Sequence, residues 1–357
     1  MAQDDALLDE LYGFSTAIGT DPRIVQGAGG NVSCKGGSDG RAVLHIKASG
    51  LWLGRMARET GFVALDLDAA RACLRAADRE PDLSAFIVGG SAGVRPSIET
   101  SLHAVMPHRV VVHTHSVNAL ACLVRQDSQA MLAGLLDGLV WRHVPYARPG
   151  LPLTRAIEEA GGLEADVLML ANHGIVLGAP DVETAVALHD ELELRLQRPI
   201  RAAAPARSVV LDALCGALRG HGLGWRPAAH AESHGLATDP VSLRFAGAGT
   251  LYPDHVVFLG AGGLRAARAE DTVAVIQADP GLKLLLIEGA GVLMADTPEE
   301  AASEAADEMV RCLALVLARC NEAARLRLLR PEEEGELVDW EAEAYRRKLS
   351  RQPAPAA

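Results

Sequence analysis

The tightest constraint on this chain is Val110-Val-Val-His-Thr-His115, in which three β-branched residues run straight into two histidines one residue apart. Such a run reads as a buried strand. Side chains two apart on a strand leave the same face, their bases about 6.5–7 Å apart. Two imidazoles so placed can chelate one cation, and a strand end holds them more firmly than a loop does. An open catalytic zinc site takes three protein ligands and keeps a fourth position free. The third candidate is His173 in Ala171-Asn-His-Gly174, which follows a second apolar run, Val167-Leu-Met-Leu170. Glu99 precedes the histidine pair, in Arg95-Pro-Ser-Ile-Glu-Thr-Ser-Leu-His103. Two readings of it stand side by side: a general base, or an acid favoured by the dipole at the start of a helix over 97–105.

Two turns precede this stretch. Gly27-Ala-Gly-Gly-Asn-Val-Ser33 is dense in glycine and contains Gly30 and Asn31. Lys47-Ala-Ser-Gly50 follows an apolar strand over 43–46 and offers ammonium, hydroxyl and amide donors from Lys47, Ser49 and Gly50. Glycines let backbone N–H groups approach an anion closely, so the two turns can grip one phosphate from opposite sides. Taken locally, each also reads as an ordinary tight turn.

Apolar spacing predicts helices over 4–18, 67–77, 118–124, 154–160 and 181–197, and strands over 140–144, 167–170 and 174–177. Composition shifts and periodicity lapses at Ile200-Arg-Ala-Ala-Ala-Pro-Ala-Arg207, the best linker candidate. Beyond it the pattern predicts a helix over 209–218, strands over 256–259, 273–277 and 284–287, and a hairpin closed by 291–294. Thr297-Pro-Glu-Glu300 reads as a capped helix start, with the helix running to about residue 329 and Met309, Leu313, Val316 and Cys320 on one face. A short helix over 339–349 and a disordered Pro/Ala tail over 351–357 are expected to end the chain. Phe258-Leu-Gly-Ala-Gly-Gly263 looks like a dinucleotide turn, but Arg265 stands where the third glycine belongs, so it reads as a plain turn. His221, His230 and His234 lie in a Gly/Pro-rich segment and read as surface histidines.

The balance of 34 Lys+Arg against 46 Asp+Glu gives −12, which argues against nucleic acid as a partner but leaves room for a locally positive pocket. Six scattered cysteines without a Cys-x-x-Cys read as small buried hydrophobes rather than a disulfide framework. No run is long and apolar enough for a membrane helix, and the acidic N-terminus does not read as a signal peptide. A cytoplasmic protein is expected.

Three histidines with a free position bind zinc or a similar divalent ion. Such an ion can polarise a carbonyl and stabilise an enediolate while a carboxylate moves the proton. Gly-Gly-Asn-Val-Ser, Ala-Ser-Gly, Pro-Ser-Ile-Glu, Val-His-Thr-His, Val-Pro-Tyr-Ala and Asn-His-Gly occur here in the order seen in the class II aldolase/adducin family, and residues 5–198 resemble it. The resemblance implies an α/β fold of the α+β type: a central, mainly antiparallel sheet with helices on both sides, over 1–199. A smaller C-terminal α/β extension of unassigned role would cover 208–350.

The resemblance also implies a homotetramer with sites near subunit contacts. It places the zinc ligands at His113, His115 and His173, and the catalytic carboxylate at Glu99. Phosphate-binding positions fall on Gly30, Asn31, Ser49, Gly50 and Ser97. Lys47, the Pro-Ser-x-acid-Thr-x-Leu-His stretch and Val338-Asp-Trp-Glu-Ala-Glu-Ala-Tyr345 look like the aldolase half of long bacterial rhamnulose-phosphate aldolase/dehydrogenase fusions. A metal-dependent aldolase acting on a sugar phosphate or sugar acid is the implied activity. Epimerase, dehydratase and decarboxylase chemistry would share the site; a non-catalytic scaffold, as in adducins, would lack the histidines. Two departures stand out: no tyrosine lies near Met131, where fuculose-phosphate aldolases carry a proton donor, and Ala28 replaces a phosphate-holding hydroxyl.

Overall fold

The computed structural model describes residues 2–38, 40–90 and 93–338; the expected helix over 339–349 and the tail over 351–357 lie outside the described residues. Two units divide the chain: residues 2–123 with Asp127–Gln197, and Val124–Gln126 with 198–338. No described helix is long and apolar enough to cross a membrane.

In the first unit, eight strands form one sheet: β1 (Asn31–Ser38), β2 (Arg41–Lys47), β3 (Phe62–Asp66), β4 (Ile87–Gly89), β5 (Val110–Thr114), β6 (Trp141–Val144), β7 (Val167–Leu170) and β8 (Gly174–Ala179). Their order is β4-β3-β2-β1-β5-β8-β7-β6. Neighbours are antiparallel except β6 and β7, which run parallel. The helices are α1 (Ala2–Gly19), α2 (Leu67–Ala76), α3 (Thr100–Val105), α4 (Val117–Leu123), α5 (Ser128–Leu135), α6 (Leu151–Glu159) and α7 (Val182–Arg195).

Side-chain parity sorts the sheet into two cores. Val32, Cys34, Val110, Val112, Val167, Met169, Ile175 and Leu177 pack with Leu11 and Phe14 of α1, Leu123 of α4 and Leu192 of α7. Val111, Leu168, Leu170 and Val176 pack on the other face, with Leu102 of α3 and Leu153 and Ile157 of α6. Burial on both faces is why these strands read as unbroken apolar runs. Each such side chain contributes about 1.5–3 kcal/mol on leaving water. The same alternation assigns Asn31, Ser33 and His113 to the face that α3 covers, because Val32 and Val112 point the other way.

The second unit holds a four-stranded sheet, order β10-β11-β12-β9, from β9 (Trp225–Pro227), β10 (Ala266–Ala267), β11 (Leu284–Ile287) and β12 (Gly291–Ala295). Its helices are α8 (Ser208–Gly220), α9 (Gly235–Thr238), α10 (Pro240–Ala246), α11 (Thr272–Ala278), α12 (Glu300–Arg319) and α13 (Pro331–Val338). The β11–β12 hairpin forms as the sequence predicts.

Several expectations fail here. Residues 256–259 are not a strand but part of a π-helical turn, His255–Leu259, whose backbone bonds stay local, from Val256 N–H to Tyr252 O and Gly260 N–H to Val256 O. Residues 273–277 are helical: the buried pair is Thr272 and Ile276, four apart, not an alternating set. The long helix starts at Glu300, with Thr297 outside it and no side-chain cap, and it stops at Arg319 rather than near 329. The chain after it leaves the helix because its backbone finds other partners: Arg125 bridges Leu326, and Arg327 N–H donates to Val124 O. His234 is buried, not a surface residue, and its Nδ1 accepts from Val292 N–H at 3.0 Å. None of the six cysteines forms a disulfide.

Candidate metal centre and active site

β5 lies between β1 and β8, with His113 opposite Asn31 on one side and Val176 on the other. His113 Nδ1–H donates to Ile175 O at 2.8 Å, which leaves the Nε2 lone pair to face the site. The β5 ladder ends at Thr114, and His115 follows immediately on the same face as His113. The two Nε2 atoms lie 3.0 Å apart.

His173 arrives from the β7–β8 turn. Asn172 there is left-handed, φ 53°, a conformation that asparagine tolerates better than most residues. Gly174 must lack a side chain: a Cβ would overlap Thr114 O and meet His115 Cδ2 at 3.2 Å and His113 Cε1 at 3.3 Å. Asn-His-Gly is therefore a turn, a ligand and a clearance, in that order. Ring centroids of the three histidines are 4.8, 4.9 and 5.3 Å apart. One ligand nitrogen from each lies within 4.8 Å of the others, the one such cluster of three or more potential ligands among the described residues.

Glu99 stands at the N-cap of α3, the helix-start position of its second reading, although its side chain makes no capping bond. Its carboxylate is buried, with Oε2 3.3 Å from His113 Nε2 and Oε1 3.3 Å from His173 Nε2. Asn31 Nδ2 donates to Oε2 at 2.7 Å. Burial pushes this carboxyl up, but attraction to His113, His173 and His115 and the Asn31 bond outweigh it and hold the group at about 2.

The residues fit a divalent ion. Two imidazole nitrogens at 3.0 Å with lone pairs inward repel each other unless a proton or a cation lies between them. A ring whose outer N–H is fixed by a backbone carbonyl, as His113 is, matches a metal-ligating histidine.

The stretches read as anion-binding turns converge beside this cluster. Ala48 bridges Pro96; Ser49 N–H donates to Arg95 O and Ser97 N–H to Lys47 O. Lys47 is buried, and its ammonium donates to Ala28 O and Gly30 O, each at 3.0 Å, tying the two turns together. Gly30 is left-handed, φ 61°, and a Cβ there would stand 2.9 Å from His113 O. Ser49 Oγ is buried without a protein hydrogen-bond partner, and Ser97 Oγ accepts from Glu99 N–H at 3.3 Å. Gly50, φ 78°, is buried next to Ser49. Asn31 faces Glu99 directly. His103 and Ser33, not singled out from the sequence, complete the polar cluster: His103 bonds Asn31 Oδ1 and lies 2.7 Å from Ser33 Oγ. The available signal was spacing, since His103 is one helical turn past Glu99 and Ser33 two past Asn31 on a strand.

Comparison with known proteins agrees. A family model described as "Class II Aldolase and Adducin N-terminal domain" matches residues 14–198. "Uncharacterized oxidoreductase YuxG" of Bacillus subtilis (strain 168) is 34% identical over 190 residues, covering 50% of this chain and 27% of that protein. "3-oxo-tetronate 4-phosphate decarboxylase" of Escherichia coli (strain K12) is 32% identical over 152 residues, 39% of this chain and 66% of that protein. Its Haemophilus influenzae namesake is 30% identical over 124 residues, 31% of this chain and 58% of that protein. The matches thus span between about a quarter and two thirds of these relatives' own lengths. The solved N-terminal class II aldolase domain of a conserved Thermoplasma acidophilum protein is 28% identical with TM-score 0.48, covering 53% of this chain and 91% of that one. With more than half its length matched by the family model, and with the expected sheet in place, this chain belongs to the class II aldolase/adducin family.

Proposed function

We propose that the chain is a divalent-metal-dependent, aldolase-type lyase that breaks or makes a bond at the carbon beside a carbonyl in a sugar phosphate or related sugar acid. The observation that supports this most is the meeting of His113, His115 and His173 within 4.8 Å, with Glu99 3.3 Å from two of them. These three histidines would hold the ion, zinc or a similar transition metal. When bound, such an ion polarises a carbonyl oxygen as a Lewis acid and offsets negative charge developing beside it.

The chain's own groups do the rest. Glu99, ionised and shielded from water, takes the proton from the carbon beside the carbonyl in the bond-making direction. That carbon's electron pair forms the new C–C bond as the acceptor's C=O π bond breaks, the alkoxide so formed takes up the proton that Glu99 removed to become a hydroxyl, and cleavage is the reverse. The anionic end of the substrate is gripped by the Ser49 and Ser97 hydroxyls and the backbone at Gly30, Asn31 and Gly50, with the Lys47 charge behind them. Binding at that remote end orients the reacting carbon. The working form in this reading is a homo-oligomer, and a monomer by sedimentation would remove that part alone.

Two relatives named as decarboxylases support a second reading, decarboxylation of a 3-oxo sugar-acid phosphate. It would develop an electron pair at the same carbon and use the same groups. Zinc-loaded protein in deuterated water should exchange a carbon-bound proton of dihydroxyacetone phosphate. Release of carbon dioxide from 3-oxo-tetronate 4-phosphate without that exchange would favour the decarboxylase. Silence with both probes in protein that retains one zinc per chain would sink both readings.

A further inference from the structure

Behind Glu99 the polar chain continues into the protein through side chains that neither metal binding nor substrate gripping uses, the Asn31 amide included. His103 is wholly buried on α3, with Asn31 Oδ1 at its Nε2 and Ser33 Oγ 2.7 Å from its Nδ1. Asn31 in turn reaches Glu99. The direction of every bond follows from the ionised end. A carboxylate only accepts, so Asn31 must present its amide N–H to Glu99. The Asn31 oxygen then faces His103, and an amide oxygen only accepts, so His103 Nε2 carries the hydrogen. Burial, the largest influence, pushes this imidazole well below its ordinary range, so the ring is neutral. Nδ1 keeps its lone pair and accepts from the Ser33 hydroxyl.

We infer that His103 is a positioning residue: as the neutral Nε2–H tautomer it locks the Asn31 amide so that Asn31 can only donate to Glu99. This rests on the reading of Glu99 as the group that handles the proton. The lock ties down Oε2 with an amide N–H and leaves Oε1, which accepts no such bond and lies 3.3 Å from His173 Nε2, as the atom that exchanges the proton. Without His103 the amide can turn over and set its oxygen against the carboxylate, which repels it. Ser33 fixes the tautomer from the far side. The four residues come from β1, α3 and the turn before α3, so the lock is set by sheet register and not by a mobile loop.

The zinc-loaded full chain, labelled with nitrogen-15 at histidine and assigned with His103→Gln, tests this directly. His103 should show the Nε2–H tautomer at pH 7; an Nδ1–H tautomer or an imidazolium overturns the inference. In the dihydroxyacetone phosphate exchange assay, His103→Leu should lower kcat by about 10- to 100-fold with KM within about twofold and zinc content unchanged. His103→Gln restores an N–H near the Nε2 position and should recover most of the loss. Equal losses in both variants, or a loss confined to KM or zinc, would mean that His103 only fills space. Should His103→Leu fail to fold, the wild-type spectrum still decides. Undiminished exchange in Glu99→Gln would instead defeat the functional reading and leave the tautomer assignment standing.

Discussion

The two units bury acids in opposite ways. In the second unit three buried carboxylates each have a guanidinium partner: Asp239 takes Arg201 at 2.5 Å, Asp307 takes Arg226 at 2.6 Å and Glu333 takes Arg327 at 2.6 Å. Asp239 and Asp307 also accept backbone N–H groups. Such carboxylates are neutralised by an always-charged group and have no chemistry left to do. Glu99 in the first unit is buried as deeply, but among imidazoles and an amide. An imidazole changes charge near neutral pH, and each can hand its nitrogen to a metal. Burial of an acid therefore separates structure from chemistry only when the partner is named.

The largest effect should come from removing the acid on the imidazole side. Glu99→Gln should keep the fold and the zinc while exchange falls by about 10²–10⁴-fold, measured by NMR in deuterated water. Next, His113→Ala removes a ligand and its Ile175 anchor, and zinc affinity should fall by more than the roughly 10–100-fold that outer-shell partners cost. Competition with a chromophoric chelator reads this; full zinc occupancy in that variant would refute the ligand assignment and erase the contrast between the units.

The opposite experiment belongs to the second unit. Asp307→Ala strips Arg226 and the Ala229 N–H of their acceptor. The Arg226 side chain stays 29% exposed, so water recovers part of the loss. Destabilisation of about 2 kcal/mol is expected by denaturant titration, with zinc content and exchange rate untouched. A fall in exchange at full zinc occupancy would show that this pair is not merely structural.

The contrast between the units also explains what the sequence could reveal. β5, β7 and β8 are buried on both faces, so their composition is one-sided and they are visible as apolar runs. β1 is not: Asn31, Ser33 and Lys35 alternate with Val32 and Cys34 before two glycines, and the strand looks like a glycine turn. The short strands β3 and β4 went unseen for lack of flanking signals. His113, His115, His173 and Glu99 were legible because strand ends and motif order mark them. His103 was not, because nothing in Ser-Leu-His-Ala points across 72 positions to Asn31; only the β1–β5 pairing under α3 does so. In the second unit, four- and five-residue apolar runs fit helix and strand alike, and 256–259 and 273–277 became helical where no strand edge met them.

The smallest predicted effect concerns a charge in the first unit that has neither a guanidinium-like pairing nor a place at the site. Lys35 on β1 donates to His108 O at 2.7 Å, and burial, with the Arg71 charge second, lowers it to about 7. The folded state thus prefers the neutral amine, whereas the unfolded chain keeps its proton up to about pH 10.4. Between those values the unfolded chain binds more protons, so stability should rise with pH across that window and carry the full penalty below it. Lys35→Met removes the penalty while keeping an unbranched chain in the same space. Its Tm should exceed that of the parent by roughly 2–4 °C at pH 7, and the advantage should shrink to nothing as the pH approaches about 10. A constant difference across the whole range would mean that the gain comes from packing; no gain at pH 7 would mean that the hydrogen bond to His108 offsets the burial of the charge.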